Sequence, residues 1–248
     1  MMAFARRARS LSPRLAHRSH ETEWLDRPDI SRDELASVLR DLDRFNGAML
    51  GQWPIVRWVS RALRRAELGE PVTILDVGCG SGGLLRAIRR AARRSGRDVA
   101  LIGVDLSADT VAIAKSQTPA EDEIRYVAAD VFRYRPDAPI DLIVSGLVTH
   151  HLSDSGIVDL LRWMDNTARL GWLISDLQRS VVPYTFIGLA GKLTRLNPVV
   201  IHDGRISVAR SLTHAEWWAR IHDAGLAGVH IRWMLYRWLI SHTKEAIW

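Results

Sequence analysis

The chain has 248 residues, 47% hydrophobic and 25% charged, the proportions of an ordinary globular protein and not of a disordered or fibrous one. Its length suits one domain with appendages, and no apolar run approaches the roughly 20 residues of a membrane-spanning helix. Of the net charge of +6, five charges come from Arg6, Arg7, Arg9, Arg14 and Arg18 in an acid-free stretch over residues 1–20, so a basic face for nucleic acid is not expected of the folded remainder.

Residues 1–20 are expected to be a basic, flexible tail. They lack the apolar core of a secretory signal and resemble a transit peptide only in being rich in Arg and Ser and free of acid. One cysteine, Cys79, excludes an intrachain disulfide framework and fits a reducing compartment, the cytoplasm. Residues 21–70 read as an N-terminal helical cover. Ser31 and Glu34 form a capping-box pattern before an apolar face of Leu35, Val38, Leu39, Leu42 and Phe45. Pro54 suits the first position of a second helix with Ile55, Trp58, Val59, Ala62 and Leu63 on one stripe. Arg44, Asn46, Gln52 and Trp53 are placed to cover a ligand.

Residues 71–177 alternate strand and helix. Val72–Leu75 is a buried strand closed by Asp76. Gly78, Gly80, Gly82 and Gly83 follow, then a helix with Leu84, Leu85, Ile88, Ala91 and Ala92 inward and an arginine row from Arg86 to Arg94 read as a solvated face. Further strands are expected at 99–104, 124–128, 140–144 and 171–175, separated by helices at 109–116 and 153–168. This rhythm predicts an α/β fold with a doubly wound, Rossmann-like, mostly parallel sheet. Residues 178–211 show no clear period, contain Pro183 and Pro198, and read as a long loop, an insertion or lid on the acceptor side. Thr213 and Glu216 cap a last helix, and strands at 229–233 and 237–241 are too close together for a parallel crossover, so they form an antiparallel hairpin completing the sheet within residues 212–248.

Glycines between a strand and a helix leave room for a ligand against the main chain, beside the unpaired N–H groups of the helix start. Gly78, Gly80 and Gly83 satisfy the dinucleotide pattern G-x-G-x-x-G, which by itself leaves a nicotinamide-dependent oxidoreductase open. Asp76, Asp105 and Asp130 discriminate. All three lie at strand ends, where an open α/β sheet binds its ligands. Asp105 suits ribose hydroxyls and Asp130 an exocyclic amine, while Asp76 repels a pyrophosphate and attracts an ammonium group.

The segments Ile-Leu-Asp-Val-Gly-Cys-Gly-Ser-Gly (74–82), Gly-Val-Asp-Leu-Ser (103–107), Ala-Ala-Asp-Val (128–131) and Asp-Leu-Ile-Val-Ser…His-His-Leu (141–152) resemble the successive motifs of class I S-adenosylmethionine-dependent methyltransferases. The resemblance covers about residues 71–177, and the terminal hairpin fits that fold. It implies S-adenosylmethionine as cofactor, with Asp76, Gly78, Cys79, Gly80 and Gly82 at its methionyl end. It further implies Asp105 on the ribose, Leu106 beside the adenine, Asp130 on the adenine amino group with Val131 adjacent, and Ser145 and Gly146 near the sulfonium. Outside this core, residues 39–46, 175–180 and 202–210 resemble a narrower bacterial group of polyketide and phenolic-lipid pathways. That implies a small-molecule acceptor of secondary metabolism, a phenol or quinol.

A hydroxyl acceptor needs a base, and histidine titrates near neutrality. His151 and His150 follow the fourth strand, where the methyl group should sit, and His151 is the first choice. His202 is a third candidate, with Asp203 as its orienting partner. Arg179, Tyr184, Asp203 and Arg210 are candidate acceptor contacts, with Val181, Val182, Phe186 and Ile187 walling an apolar pocket. No His/Cys cluster has metal-ligand spacing, so no metal is expected. The sequence therefore predicts O-methylation of a hydroxylated aromatic or polyketide-like molecule. C-methylation, a non-catalytic cofactor-fold protein and RNA methylation through the basic tail are alternatives. Oligomeric state is not legible.

Overall fold

Strand-forming runs and amphipathic stripes assemble in the predicted order. The computed structural model describes residues 15–27, 30–48, 50–65, 71–193 and 197–244. Among them a seven-stranded sheet runs β3-β2-β1-β4-β5-β7-β6. Its strands are β1 (Val72–Val77), β2 (Val99–Asp105), β3 (Ile124–Ala128), β4 (Ile140–Gly146), β5 (Ala168–Leu177), β6 (His230–Met234) and β7 (Arg237–Thr243). β1 to β5 are parallel, while β7 is antiparallel to both β5 and β6. The chain order reverses between β1 and β4, the position where an open α/β sheet leaves a crevice at its carboxyl edge.

The helices are α1 (Arg32–Ala48), α2 (Trp53–Arg65), α3 (Gly83–Arg94), α4 (Ala108–Gln117), α5 (Asp154–Thr167), α6 (Val181–Leu193), α7 (Pro198–Arg210) and α8 (His214–Ala224). α2, α3 and α4 cover one face of the sheet, packing Trp58, Leu63, Leu85, Ile88 and Val111 on Ile74 and Leu101. α5 and α8 cover the other, with Leu161, Trp217 and Ile221 against Leu75, Ile143 and Trp172. Each such side chain removed from water contributes about 1.5–3 kcal/mol. The expected capping box of α8 is present in full, between Thr213 and Glu216.

Three readings change. Residues 178–210 are two helices and not a loop. Pro183 and Pro198, taken as breakers, each sit in a first turn, where the missing N–H costs nothing. Asn197 caps α7, accepting from the Val199 amide at 2.9 Å. The arginine row of α3 is not wholly solvated: Arg89 is buried and donates to the Val99 carbonyl at 3.1 Å. Arg86 donates to the Ser81 carbonyl at 2.6 Å and to Asp43 at 3.1 Å. Finally, the expected tail does not extend to residue 20. Arg18 donates to the carbonyls of Thr149, Leu152 and Arg210 and pairs with Asp154 at 2.8 Å, so this stretch is strapped to the body. Arg6, Arg7, Arg9 and Arg14 lie outside the described residues.

Gly82 is a fold residue. Its φ is +81°, and a Cβ there would collide with the Tyr126 hydroxyl. Gly82→Ala is expected to lose about 2–4 kcal/mol of stability from the left-handed backbone and the overpacking together, read as a lowered denaturant midpoint.

Candidate active site

The strand ends open onto a cleft of about 1120 Å³, above the ~300–1,000 Å³ typical of one small ligand. It has room for a cofactor and an acceptor. On one side, Gly78 and Gly80 turn the chain with φ of 68° and 54°. A Cβ at Gly80 would meet nothing within 4 Å, so the turn leaves open space over its backbone. Asp76 lies inside β1, buried, and its Oδ1 has no hydrogen-bond partner among the described residues. Burial first, and then Asp105, push its carboxyl well above the usual range. The two oxygens of Asp105 accept from the Gly80 and Ser107 amides, each at 3.0 Å. Burial raises this carboxyl too, with those amides working against it. Leu106 stands 79% exposed at the rim. Asp130 turns the chain after β3 by accepting from the Phe132 amide at 3.0 Å, with Val131 also on the cleft wall. Burial, Asp76 and Asp105 push the Cys79 thiol far up, so it packs and is no nucleophile.

On the other side stands the turn Thr149–His151 after β4. His150 is buried, with Nδ1 2.7 Å from Asp176 Oδ1, and its amide donates to Asp176 Oδ2 at 3.0 Å. Thr149 donates its hydroxyl to the same carboxylate. Burial works to raise Asp176, but the His150 ring and these donors outweigh it and hold the carboxyl well below the usual range. Asp176 is thus ionised and fixes the His150 ring. His151 reaches the cleft with its side chain 35% exposed, its Nδ1 3.4 Å from Asp26 Oδ2. The two imidazoles lie 4.3 Å apart. Behind them is Glu23, with Oε1 3.7 Å from His150 Nε2 and Oε2 3.9 Å from His151 Nε2. Burial lifts Glu23 to about 6, against the pull of His151 and Ser207.

Glu23, His150 and His151 bring ligand-type atoms within 4.8 Å of one another, a cluster the sequence spacing does not reveal. Ser207 already donates to Glu23 at 2.9 Å, and the Arg210 guanidinium faces it at 3.7 Å. Burial outweighs these contacts, which leaves the Glu23 carboxyl raised within the cluster.

The predicted residues divide. Asp76, Gly78, Cys79, Gly80, Asp105, Leu106, Asp130, Val131, Gly146, His150, His151, Asp203 and Arg210 share the cleft wall, as do Asn46, Gln52 and Ile187. Gly82 does not, and neither does Ser145, whose hydroxyl donates to the Val77 carbonyl between β1 and β4. Arg179 is a clamp, donating to the Ser211 carbonyl at 3.2 Å and pairing with Glu216 at 2.5 Å. Tyr184 and His202 line a separate cavity of about 160 Å³, Tyr184 under the Arg205 guanidinium. His202 stacks on Trp24 with ring centroids 3.7 Å apart, and Asp203 accepts from the Trp24 and Leu25 amides, so this pair anchors the N-terminal segment. Val182 and Phe186 face solvent, and Arg44 pairs with Asp41 at 3.5 Å. The sequence did not point to Glu23, to the Asp176–His150 pairing, or to Arg237, a buried cation on the cleft wall whose pKa burial lowers to about 10.

A family model described as a methyltransferase domain matches residues 74–171. Trans-aconitate 2-methyltransferase of Azoarcus sp. (strain BH72) is 29% identical over 102 residues, 40% of this chain and 38% of that protein. The 2-phytyl-1,4-naphtoquinone methyltransferase of Thermosynechococcus vestitus is 34% identical over 82 residues, 33% of this chain and 35% of that protein. The matches thus span little more than a third of either relative. Among solved structures, the plantazolicin methyltransferase BpumL in complex with SAH superposes with a TM-score of 0.60 at 14% identity, covering 85% of this chain and 95% of that one, which shows a common fold. The site is compatible with such a ligand, since it offers an orphaned carboxylate oxygen to an ammonium group and an open glycine turn to a backbone-hugging ligand. Residues 74–171 therefore match a methyltransferase domain, on a fold shared with an SAH-bound methyltransferase.

Proposed function

We propose that the protein methylates a small hydroxylated aromatic or polyketide-like acceptor at oxygen. One observation carries this reading: the orphaned Asp76 oxygen and the Glu23–His150–His151 cluster face one cleft. S-adenosylmethionine, when bound, supplies an electrophilic methyl group on a sulfonium. Asp76 receives its ammonium, with Gly78, Cys79 and Gly80 along the methionyl end. Asp105 takes the ribose hydroxyls, Asp130 the adenine amino group, and Leu106 and Val131 flank the ring. Gly146 borders the space between cofactor and acceptor. Ile187, Val200 and Leu177 give the remaining wall its apolar character, with Arg210 polar beside them.

The chain's own task is to position the acceptor and remove its proton. His151 accepts that proton, because its ring is exposed to the cleft while His150 is locked on Asp176. Glu23 and Asp26 flank the ring. A deprotonated phenol is also nucleophilic at ring carbon, so C-methylation is the second reading, favoured by the naphtoquinone in a relative's name. A nicotinamide cofactor fits poorly, since its pyrophosphate would meet the Asp76 carboxylate. Mass and NMR spectra of products from a panel of phenols and quinols test the reading. A mass gain of one methyl group on oxygen supports it, and no methylated product across the panel counts against it.

Glu23 gives a pH dependence. Its folded value, about 6, lies above the 4.5 of a free glutamate side chain. Protonation is therefore favoured by folding, and this stabilisation is full below about pH 4.5 and lost as pH rises through 6. The ionised form needed beside His151 appears above that value. We expect kcat/KM to fall on the acid side of about pH 6. Glu23→Gln should flatten that limb and lower kcat roughly tenfold, as measured in pH–rate profiles at saturating cofactor.

A further inference from the structure

The turn joining β6 to β7 is built against local preference. Its central residues, Leu235 and Tyr236, have positive φ of 49° and 64°, the backbone of a hairpin turn that favours Asn-Gly. Bulky side chains resist this region, and where they are kept there, function is a common reason. Both carry apolar bulk at the tip of an edge hairpin. Leu235 is exposed, as is Trp233 just before it. The Trp233 and Tyr236 rings meet edge to face, and Tyr236 stacks on Phe186 of α6.

α6 continues this surface. Ile187 faces the cleft, while Val182, Phe186 and Leu189, spaced along one stripe, face solvent. Leu50 and Trp53 are exposed at the α1–α2 corner, which Arg237, next to the turn, ties to the hairpin by donating to Asn46 at 3.0 Å. β6 runs parallel to β5, so the tip lies at the carboxyl edge of the sheet, on the rim of the cleft.

Arginines back this rim. Arg57 sits 5.3 Å from the Trp53 ring, and Arg61, Arg64 and Arg65 follow along α2, with Arg232 on β6 beside them. Repulsion, from Arg57 first, lowers the Arg61 guanidinium below its usual range. Large exposed apolar patches mark interaction sites. Apolar and aromatic tips backed by arginines suit a bilayer interface, where the tips enter the acyl boundary and the cations meet anionic headgroups. A second copy docked through the same face would bring two arginine clusters together, which repulsion disfavours. No helix among the described residues is long and apolar enough to cross a membrane, so the contact is peripheral.

We propose that this rim docks the protein on the surface of an anionic lipid bilayer, with the mouth of the cleft toward the headgroups. The proposal goes beyond the methyl-transfer reading and does not depend on it.

Co-sedimentation of the full chain with vesicles tests it, comparing phosphatidylcholine alone with phosphatidylcholine mixed with phosphatidylglycerol. The parent protein should partition onto the mixed vesicles at least about tenfold more strongly. The double substitution Leu235→Asn, Tyr236→Gly supplies the residues the turn prefers, so it should keep or raise the melting temperature. Its partition should nonetheless fall about tenfold. Arg57→Glu with Arg61→Glu should remove the preference for anionic vesicles. Equal partition of parent and turn variant would overturn the proposal. Retained anionic binding in both variants would also overturn it and place the contact in the Arg-rich N-terminus. A lipid-independent dimer seen by light scattering, lost in the turn variant and accompanied by no vesicle binding, would assign the face to self-association. Because no methyl transfer is measured, a negative result leaves the catalytic reading intact.

Discussion

Asp76→Asn is expected to weaken S-adenosylmethionine binding roughly 100-fold while making the ligand-free protein more stable. The two effects share a cause. The Asp76 carboxyl is buried inside β1, its Oδ1 has no hydrogen-bond partner among the described residues, and Asp105 lies close enough to raise its pKa further. A carboxyl whose folded pKa lies above its unfolded value opposes folding increasingly as pH rises above the unfolded value of 3.8. Asn keeps the shape and cannot ionise, so it removes that cost. A gain of about 1 kcal/mol would raise the melting temperature about 2–4 °C in a chain of this size. The ammonium group of the cofactor is what makes the charge useful, and a buried ion pair broken on one side costs several kcal/mol. Calorimetric titration with the cofactor and thermal scans without it check both signs. A variant with parental affinity would remove Asp76 from the binding site.

The second large effect is at His151. His151→Ala should lower kcat by about 10²–10⁴, the usual contribution of a positioned general base, with cofactor affinity changed less than about twofold. The separation follows from placement. His151 lies on the cleft wall beside Glu23 and Asp26, whereas the cofactor-side acids are held by β1, β2 and the turn after β3. The His151 hydrogen bond, partly opposed by burial, draws the Asp26 carboxyl below its usual range. This acid is therefore ionised beside the ring. Single-turnover rates with a phenolic acceptor, paired with calorimetry, measure the two quantities. Unchanged turnover would remove His151 from the mechanism, and equal losses of turnover and affinity would make it a structural residue.

Much of the fold was legible because its signals are local. Apolar runs ending in Asp76 and Asp105 marked strands, glycines marked the corner, and the capping box of α8 marked a helix start. The spacing between strands then dictated a parallel sheet with a terminal hairpin. The stretch 178–210 failed for a local reason as well: proline both breaks helices and starts them, and Pro183 and Pro198 do the latter. Within the site, residues on strand ends were found and residues brought in by tertiary contact were not. Glu23 sits in an irregular segment with no pattern around it. It becomes meaningful only because Arg18, Trp24 and Leu25 strap that segment across the Thr149–His151 turn and α7. The same strap accounts for His202 and Asp203, which in sequence resemble a catalytic pair and in space hold down the N-terminal segment. Ser145 misled because alternate residues of β4 face opposite sides, and its hydroxyl is taken by the Val77 carbonyl.

Calorimetric titration of the intact protein with S-adenosylmethionine and with its demethylated product, set against NADH, tests the central claim most directly. Saturable binding of both sulfur ligands at one site per chain, with no heat from NADH, is the predicted result. Absence of heat or saturation with the sulfur ligands at millimolar concentration, or saturable binding of NADH in their place, would contradict it.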